Sequence, residues 1–446
     1  MKKTKILRNQ RLIQRATMGW TWADQQLIDQ LGYKGWLNRQ LAHESIDDGG
    51  LEAALNEALP TLAMSPAEIL ANHENDQGQP LIELILAAIY RALYSPRQLF
   101  ERMVIFWTDH FNIHIFSDLA FLLKGTDDRE VIRVHALGSF PALLSASAHS
   151  PAMLSYLTND SNVKGAPNEN YARELMELHT LGADNGYDET DVKEVARCFT
   201  GWAYGGRGAG SAVGQFFFNA EQHDDGEKRV LGQTIPAGGG VEDGERVIEI
   251  LAGHPNTARF IAEKMLRYFW RYQPKQSAIN GVANIYRNTG GDIKAMLRGV
   301  LQKDRIANSK PKLKRPLHLM VSAMRVLSAE LVNPRYLVEQ LFLTGHLPFD
   351  WPPPNGYPDS EGYWSGLVLP RWNFASTFLA RERSGIRTDR SLFDPSFSAE
   401  KLVATMDSVL FNCTMSEKTI AELTAFLDGG KINKHRIRDA LGLAVA

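Results

Sequence analysis

Three short blocks of the sequence combine histidine and carboxylate side chains with aromatic residues, near 106–114, 168–179 and 219–226. Histidine nitrogens and carboxylate oxygens are ligands for zinc, manganese and iron, and the same groups act as general acids and bases. Cysteine cannot supply such a site, because the chain has only Cys198 and Cys413. If a divalent metal ion binds, we therefore expect histidine and carboxylate ligands.

The first block contains a histidine on a predicted helical face. His110 follows Leu99, Met103 and Trp107 at helical spacing, which predicts that the four side chains share one face. If the helix continued, His114 would lie one turn beyond His110 and the pair could chelate a metal ion. The alternative is that His110 is a hydrogen-bonded histidine at the rim of an aromatic core.

The second block predicts a helix that ends at Gly182. Glu169, Arg173 and Glu177 recur at every fourth position, which is typical of a solvated ladder of charges. Glu174 lies instead at the edge of the apolar stripe of this helix. Because a half-buried carboxylate needs a partner or an altered pKa, Glu174 is the better candidate for chemistry.

The third block places His223 and Asp224 just before the turn signal Asp225-Gly226. Loops often place reactive groups at clefts, so this pair is a candidate ligand or acid–base set. The alternative is structural, since short polar residues are also what turns are made of.

These blocks must be positioned by a mainly helical fold. Helical periodicity runs through most of the chain, and Ser65-Pro66 is a typical helix start. A glycine-rich stretch around Phe216–Phe218 interrupts it, and we predict a small β-hairpin insertion at about 212–232. Its turn would be Asp225-Gly226, with 228–231 as the return strand. The predicted organisation is one large multi-helix domain over 1–385 and a C-terminal helical extension over 386–446 packed on the same body.

Composition restricts the possible partners and location. The 49 Lys and Arg residues nearly balance 51 Asp and Glu residues, so nothing in the overall charge indicates nucleic-acid binding, and we expect no such partner. No apolar run is long enough to predict a membrane span. The N-terminus is basic but lacks the apolar core of a signal peptide, which predicts a cytoplasmic protein.

Ordered blocks over roughly residues 10–385 resemble the domain-of-unknown-function 1800 (DUF 1800) family of large bacterial proteins. The blocks include RATMG (15–19), WLNRQL (36–41), FW…HF (106–111), NENYAREL (168–175), TGW (200–202) and HDDG (223–226). The family takes its name from the lack of an assigned activity. The resemblance implies export in many members and a sulfatase-like companion protein, so a periplasmic or exported location also stays open.

Two functional hypotheses follow from the three blocks. The first is a metal-dependent hydrolase or oxidase whose polar groups converge within about 8 Å in one pocket, with a bound Zn, Mn or Fe ion. Its predicted residues are Glu174, His223 and Asp224 for catalysis, Asn170, Arg173 and Trp107 for substrate binding, and His110, Glu174 and His223 for the metal. The second is a non-catalytic binding or assembly module that acts with a companion protein through the Pro- and Trp-rich loop 346–366 and the predicted hairpin.

Overall fold

A computed structural model describes residues 2–379 and 385–445, and most of its regular structure is helical. This confirms the mainly α fold expected from the sequence. Within those ranges, no helix is both long and apolar enough to cross a lipid bilayer.

The helices follow one another along the whole described chain. Those of the first half are α1 (Lys2–Ala16), α2 (Trp22–Leu41), α3 (Gly49–Ala58), α4 (Pro66–His73), α5 (Gly78–Tyr94), α6 (Gln98–His110), α7 (Ala120–Thr126), α8 (Arg133–His135), α9 (Phe140–Ala148), α10 (Pro151–Tyr156), α11 (Glu169–Glu174) and α12 (Glu189–Cys198). Those of the second half are α13 (Glu242–Gly253), α14 (Pro255–Phe269), α15 (Gln276–Thr289), α16 (Ile293–Val300), α17 (Lys303–Ala307), α18 (Pro316–Val326), α19 (Arg335–Leu343), α20 (Glu361–Ser365), α21 (Val368–Thr377), α22 (Ala399–Phe411), α23 (Glu417–Asp428) and α24 (Lys434–Val445).

Local capping explains why α4 begins where the sequence predicts. The Ser65 hydroxyl accepts a hydrogen bond from the Glu68 N–H at 3.3 Å, and the Glu68 carboxylate accepts one from the Ser65 N–H at 2.7 Å. Pro66 occupies the first helical position, where its missing N–H costs no helical hydrogen bond. Together these contacts satisfy the backbone donors at the start of the helix.

Two helices contain a wide π-helical turn. The turn Asp127–Ile132 joins α7 to α8, and the turn Leu175–Thr180 continues α11. In the second turn, the Thr180 hydroxyl donates to the Leu175 carbonyl at 2.7 Å, five residues back. A π turn inserts one extra residue per turn, so the side chains beyond it are rotated relative to a straight α-helix.

The described strands form three small two-stranded antiparallel sheets. They are β1 (Trp202–Tyr204) with β2 (Phe216–Phe218), β3 (Lys228–Val230) with β4 (Gln233–Ile235), and β5 (Glu330–Leu331) with β6 (Ile386–Arg387). The insertion between α12 and α13 is therefore a pair of two-stranded units among helices.

The strand pairing in this insertion differs from the predicted hairpin. Instead of pairing with each other through Asp225-Gly226, β2 and β3 each pair with another strand. The tight turn is Leu231-Gly232, with φ of 47° and 76°, which suits a two-residue hairpin turn. The Asp225-Gly226 signal is used locally instead, because the Asp224 carboxylate accepts the Gly226 N–H at 3.0 Å.

The apolar core has two large parts. The first is built mainly from helices between α1 and α17 and contains Trp36, Trp107 and Phe269. The second is built around α18, α21 and the C-terminal helices α22 to α24, and α5 adds Leu84 and Ile89 to it. The C-terminal helices thus share a core with earlier parts of the chain, while the predicted domain boundary at 385 stays a prediction.

The Pro- and Trp-rich loop 346–366 is held against the helical body. The Asn112 amide donates to the carbonyls of Trp351 and Pro353 at 2.7 and 2.8 Å. Gly356 has a φ of 70°, and a Cβ there would lie 1.9 Å from the Asp109 carbonyl oxygen. The loop therefore packs so closely on the end of α6 that a side chain at this position would collide with the backbone.

Candidate functional site

His110 lies at the end of α6 and is buried in an aromatic neighbourhood. Lys264 donates to its Nδ1 at 2.8 Å, and its Nε2 donates to the His179 carbonyl at 3.1 Å. Burial, and next the charge of Lys264, hold the pKa of His110 well below its usual value. Both ring nitrogens of the neutral imidazole are thus already bonded to protein groups.

The helical continuation on which a chelate of His110 with His114 depends is not present. Because α6 ends at His110, His114 lies beyond the helix, and its Nε2 is 3.1 Å from the Asp350 carboxylate. Trp107, predicted to bind substrate, is fully buried and donates from Nε1 to the Ala136 carbonyl at 3.0 Å.

The second block lies on α11 and the π turn that follows it. Burial, and next the charge of Glu177, raise the pKa of the half-buried Glu174. Arg173 pairs with Glu189 at 2.8 Å and with Glu169 at 3.2 Å, so its charge is already taken up by carboxylates. The Asn170 amide donates to the Leu157 carbonyl at 3.0 Å.

His223 is buried in a polar network of its own. Its Nδ1 donates to the Thr200 carbonyl at 2.8 Å, and its Nε2 lies 3.1 Å from the Asp243 carboxylate. Lys228 contacts the same carboxylate. Asp224 forms a two-point pair with Arg197 at 2.8 and 3.0 Å, and hydrogen bonds from Arg197 lower the pKa of Asp224 to about 2.

The three predicted metal ligands have different partners. Across residues 2–379 and 385–445, no group of three or more His, Cys, Asp or Glu side chains is arranged to hold a metal ion. His110 contacts α14, His223 contacts α13 and β3, and Glu174 lies on α11. The metal site of these residues stays a prediction.

A different set of polar residues converges in a cleft of about 180 Å³ between the two apolar cores. Its walls come from α1, α6, α14, the segment 309–315, the first residues of α18 and the loop 346–366. We call it the basic cleft. Its basic residues are Arg11, Arg15, Arg102, Lys310, Lys312, Lys314 and Arg315. Asp359 is the one carboxylate among the described residues that line it.

Two of these cations are balanced by carboxylates. Lys312 Nζ lies 2.6 Å from the Asp359 carboxylate, and Arg315 contacts Asp109. Burial acts to raise the pKa of Asp359, but the charges of Lys312 and Arg315 hold it below its usual value. Burial lowers the pKa of Lys312 to about 7, although Asp359 opposes that change.

Arg15, Arg102 and Lys314 form no ion pair with a carboxylate in the part of the chain that the structure describes. Arg15 donates to the Lys310 carbonyl at 2.6 Å, and Lys314 donates to the Ser322 hydroxyl at 2.9 Å. The Arg102 guanidinium lies over an aromatic ring, that of Tyr268, at 4.4 Å from its centroid.

The pKa values of these three cations are lowered because the cations are buried close to other positive charges. Burial, followed by the charges of its neighbours, lowers the pKa of Arg15 to about 10 and that of Lys314 to about 8. Burial also lowers the pKa of Arg102. Positive charge in this part of the cleft is therefore unfavourable in the free protein.

Several buried polar atoms of the cleft have no hydrogen-bond partner among the described residues. They are Arg102 Nε, His318 Nε2, the Tyr268 hydroxyl and Asp359 Oδ2. Most buried polar atoms in folded proteins do have a hydrogen-bond partner. Four unpartnered atoms in one cleft therefore indicate a site where a ligand or water molecules supply the missing hydrogen bonds.

The chain matches the family described as "Protein of unknown function (DUF1800)" over residues 11–446. It belongs to this family. The resemblance seen in the sequence is thereby confirmed, and the match continues past residue 385 to the end of the chain. No curated protein and no solved structure gives a significant match.

The sequence of this DUF1800 chain contains one signal for the basic cleft. Lys310, Lys312 and Lys314 alternate in a segment that is neither helix nor strand, and Arg315 follows directly. In extended backbone, every second side chain points to the same side. The nearly neutral net charge of the chain gives no indication of this basic run. The basic residues of α1 and α6 that also line the cleft lie some 200 to 300 positions earlier in the sequence.

Proposed function

We propose that this DUF1800 protein binds a small anion in the basic cleft. The observation that carries the proposal is that Arg15, Arg102 and Lys314 gather there without a carboxylate partner among the described residues. Removing a cation from water is costly unless an opposite charge compensates it. A bound anion would supply that compensation and would also restore the depressed pKa values toward normal.

The start of α18 strengthens this preference for negative charge. Pro316 is the first residue of this helix, and Leu317 and His318 of its first turn line the cleft. The N-terminus of a helix carries partial positive charge, which favours phosphate, sulfate and carboxylate groups. The start of α18 therefore adds to the positive electrostatic potential that the basic side chains create in the cleft.

An anion-binding function is favoured over a metal-dependent hydrolase or oxidase. A divalent metal ion would be repelled by the cations of the basic cleft, because like charges raise each other's energy in a partly buried site. The polar groups at His110 and His223 are already engaged with Lys264 and Asp243. A metal-dependent activity at those residues would require that these contacts open.

Titration calorimetry tests the anion site. We expect inorganic phosphate or sulfate to bind the wild type at low ionic strength with a Kd of about 1 mM or below. Arg102→Met and Lys314→Met should each weaken binding about tenfold or more, since each removes a charge-assisted contact. The matched controls are Arg335→Met and Lys418→Met, whose side chains are 83% and 84% exposed.

Two results would contradict the proposed function. One is the absence of any binding heat and of any rise in melting temperature with phosphate or sulfate at about 10 mM. The other is an equal loss of affinity in the cleft variants and in the exposed controls, because that would indicate a diffuse surface effect rather than a site.

A further inference from the structure

The basic cleft contains a group of cations that can bind an anion and a carboxylate, that of Asp359, that can accept a hydrogen bond. Building on the proposed anion binding, we infer that the ligand is a phosphate or sulfate ester of a hydroxylated carbon skeleton. Its oxyanion would lie among Arg15, Arg102 and Lys314, and one of its hydroxyl groups would donate to Asp359. The two halves of this recognition rest on different buried atoms.

The anion half rests on buried nitrogen atoms that have no partner in the described chain. Arg102 and His318 both line the cleft and are only 7% and 9% exposed. The Nε atoms concerned, Arg102 Nε and His318 Nε2, have no partner in the described ranges. A tetrahedral oxyanion presents several acceptor oxygens and can meet donors that approach from different walls.

The hydroxyl half rests on Asp359. One of its carboxylate oxygens, Oδ1, lies 2.6 Å from Lys312 Nζ and 3.6 Å from Arg315, whereas the other, Oδ2, is buried without a partner in the described chain. The positive charges of its neighbours favour the ionised form. An ionised oxygen accepts hydrogen bonds and repels a second anion, so the ligand group that meets it must be a donor.

The two halves lie near the same aromatic ring, that of Tyr268. The Arg102 guanidinium lies 4.4 Å from the ring centroid, and Lys312 Nζ, which holds Asp359, lies 5.9 Å from it. A bare sulfate ion, which has no proton to donate, would leave Asp359 Oδ2 unsatisfied, and a neutral polyol would leave the cations uncompensated. A short molecule with both groups satisfies both sets of atoms.

A matched pair of probes tests this inference by calorimetry on the full chain. Glycerol 3-phosphate and n-propyl phosphate have the same carbon chain and anionic group, and only the first has hydroxyl groups. We expect glycerol 3-phosphate to bind about tenfold more tightly, the effect of a hydrogen bond to a charged acceptor. In Asp359→Ala, we expect the preference to fall below about threefold while n-propyl phosphate binds at least as well.

A second variant protects the test against a folding defect. Asp359→Asn retains a side chain that can accept from Lys312, and we expect it also to reduce the preference for glycerol 3-phosphate. Repeating the titration with n-propyl sulfate shows whether the source of the anion is better matched by a phosphate ester or by a sulfate ester, whichever of the two binds more tightly.

The possible failures are distinguishable. If neither phosphate binds, the proposed anion site itself is refuted. If both bind the wild type equally, or if the preference persists in Asp359→Ala and Asp359→Asn, anion binding stands and the inferred hydroxyl contact is refuted.

Discussion

Lys314→Met should stabilise the free protein and weaken anion binding at the same time. Lys314 is a partly buried cation beside Arg15 and Arg102, and its hydrogen bond is to the Ser322 hydroxyl rather than to a carboxylate. Methionine has a similar length and no charge. The substitution therefore removes a repulsive charge that the free protein tolerates and that a bound anion would use.

The magnitude follows from the pKa of the side chain. Burial and the neighbouring arginines lower the pKa of Lys314 from its ordinary value of 10.5 to about 8. At about 1.4 kcal/mol for each tenfold change in proton affinity, the charged amine costs the folded state about 3 kcal/mol at pH 7. Loss of the Ser322 hydrogen bond and partial solvation offset about 1 kcal/mol, so we expect a net gain of about 2 kcal/mol.

The pH dependence has a defined sign. Because the folded pKa lies below the unfolded one, the unfolded chain binds this proton more tightly. The penalty is fully present below pH 8 and disappears as the pH rises toward 10.5. The advantage of Lys314→Met over the wild type should therefore shrink across that window.

Chemical denaturation of the wild type, Lys314→Met and the exposed control Lys418→Met measures this at pH 7 and near pH 10. A gain of about 2 kcal/mol corresponds to about 2 °C in melting temperature for a chain of 446 residues. The reasoning would be refuted if Lys314→Met were no more stable than the wild type at pH 7, or if its advantage did not shrink at high pH.

Three further outcomes are expected. His223→Ala should lower the free energy of unfolding by about 2 kcal/mol, because it breaks buried contacts to Thr200 and Asp243; denaturation measures this. Elemental analysis of the wild type and of His223→Ala tests the predicted metal site, and a metal-free wild type would contradict that prediction. Gly356→Ala should lower the free energy of unfolding by about 3 kcal/mol or more. Gly290 also has a positive φ but faces open space, so Gly290→Ala should lower it by only about 1 kcal/mol. Equal losses in chemical denaturation would contradict the close approach of the loop. Anion affinity should fall as ionic strength rises, and calorimetry at two salt concentrations checks it.

Some features of this protein could be predicted because they depend on neighbours in the sequence. The start of α4 follows from Ser65, Pro66 and Glu68, and the ladder around Arg173 follows from helical spacing. Such contacts span three or four residues, so their geometry is nearly the same in any helix. The mainly helical fold is the sum of many local preferences of this kind.

The pairing of strands was harder to predict, since more than one partner satisfied the local pattern. Strand β2 pairs with β1, and β3 pairs with β4 across Leu231-Gly232. Both alternatives contain a two-residue turn that ends in glycine, Asp225-Gly226 or Leu231-Gly232. Packing against the helices, which residue types alone do not reveal, selects one of them.

The basic cleft depends on packing between distant parts of the chain. Residue types and local spacing identified the family, the helices and the polar blocks around His110 and His223, but they did not indicate which groups meet. Arg15, Arg102 and Asp359 come from elements separated by tens to hundreds of residues and meet only when α1, α6 and the loop 346–366 pack together. Charge is a property of each residue, whereas an uncompensated charge is a property of its surroundings, and those surroundings exist only in the folded molecule.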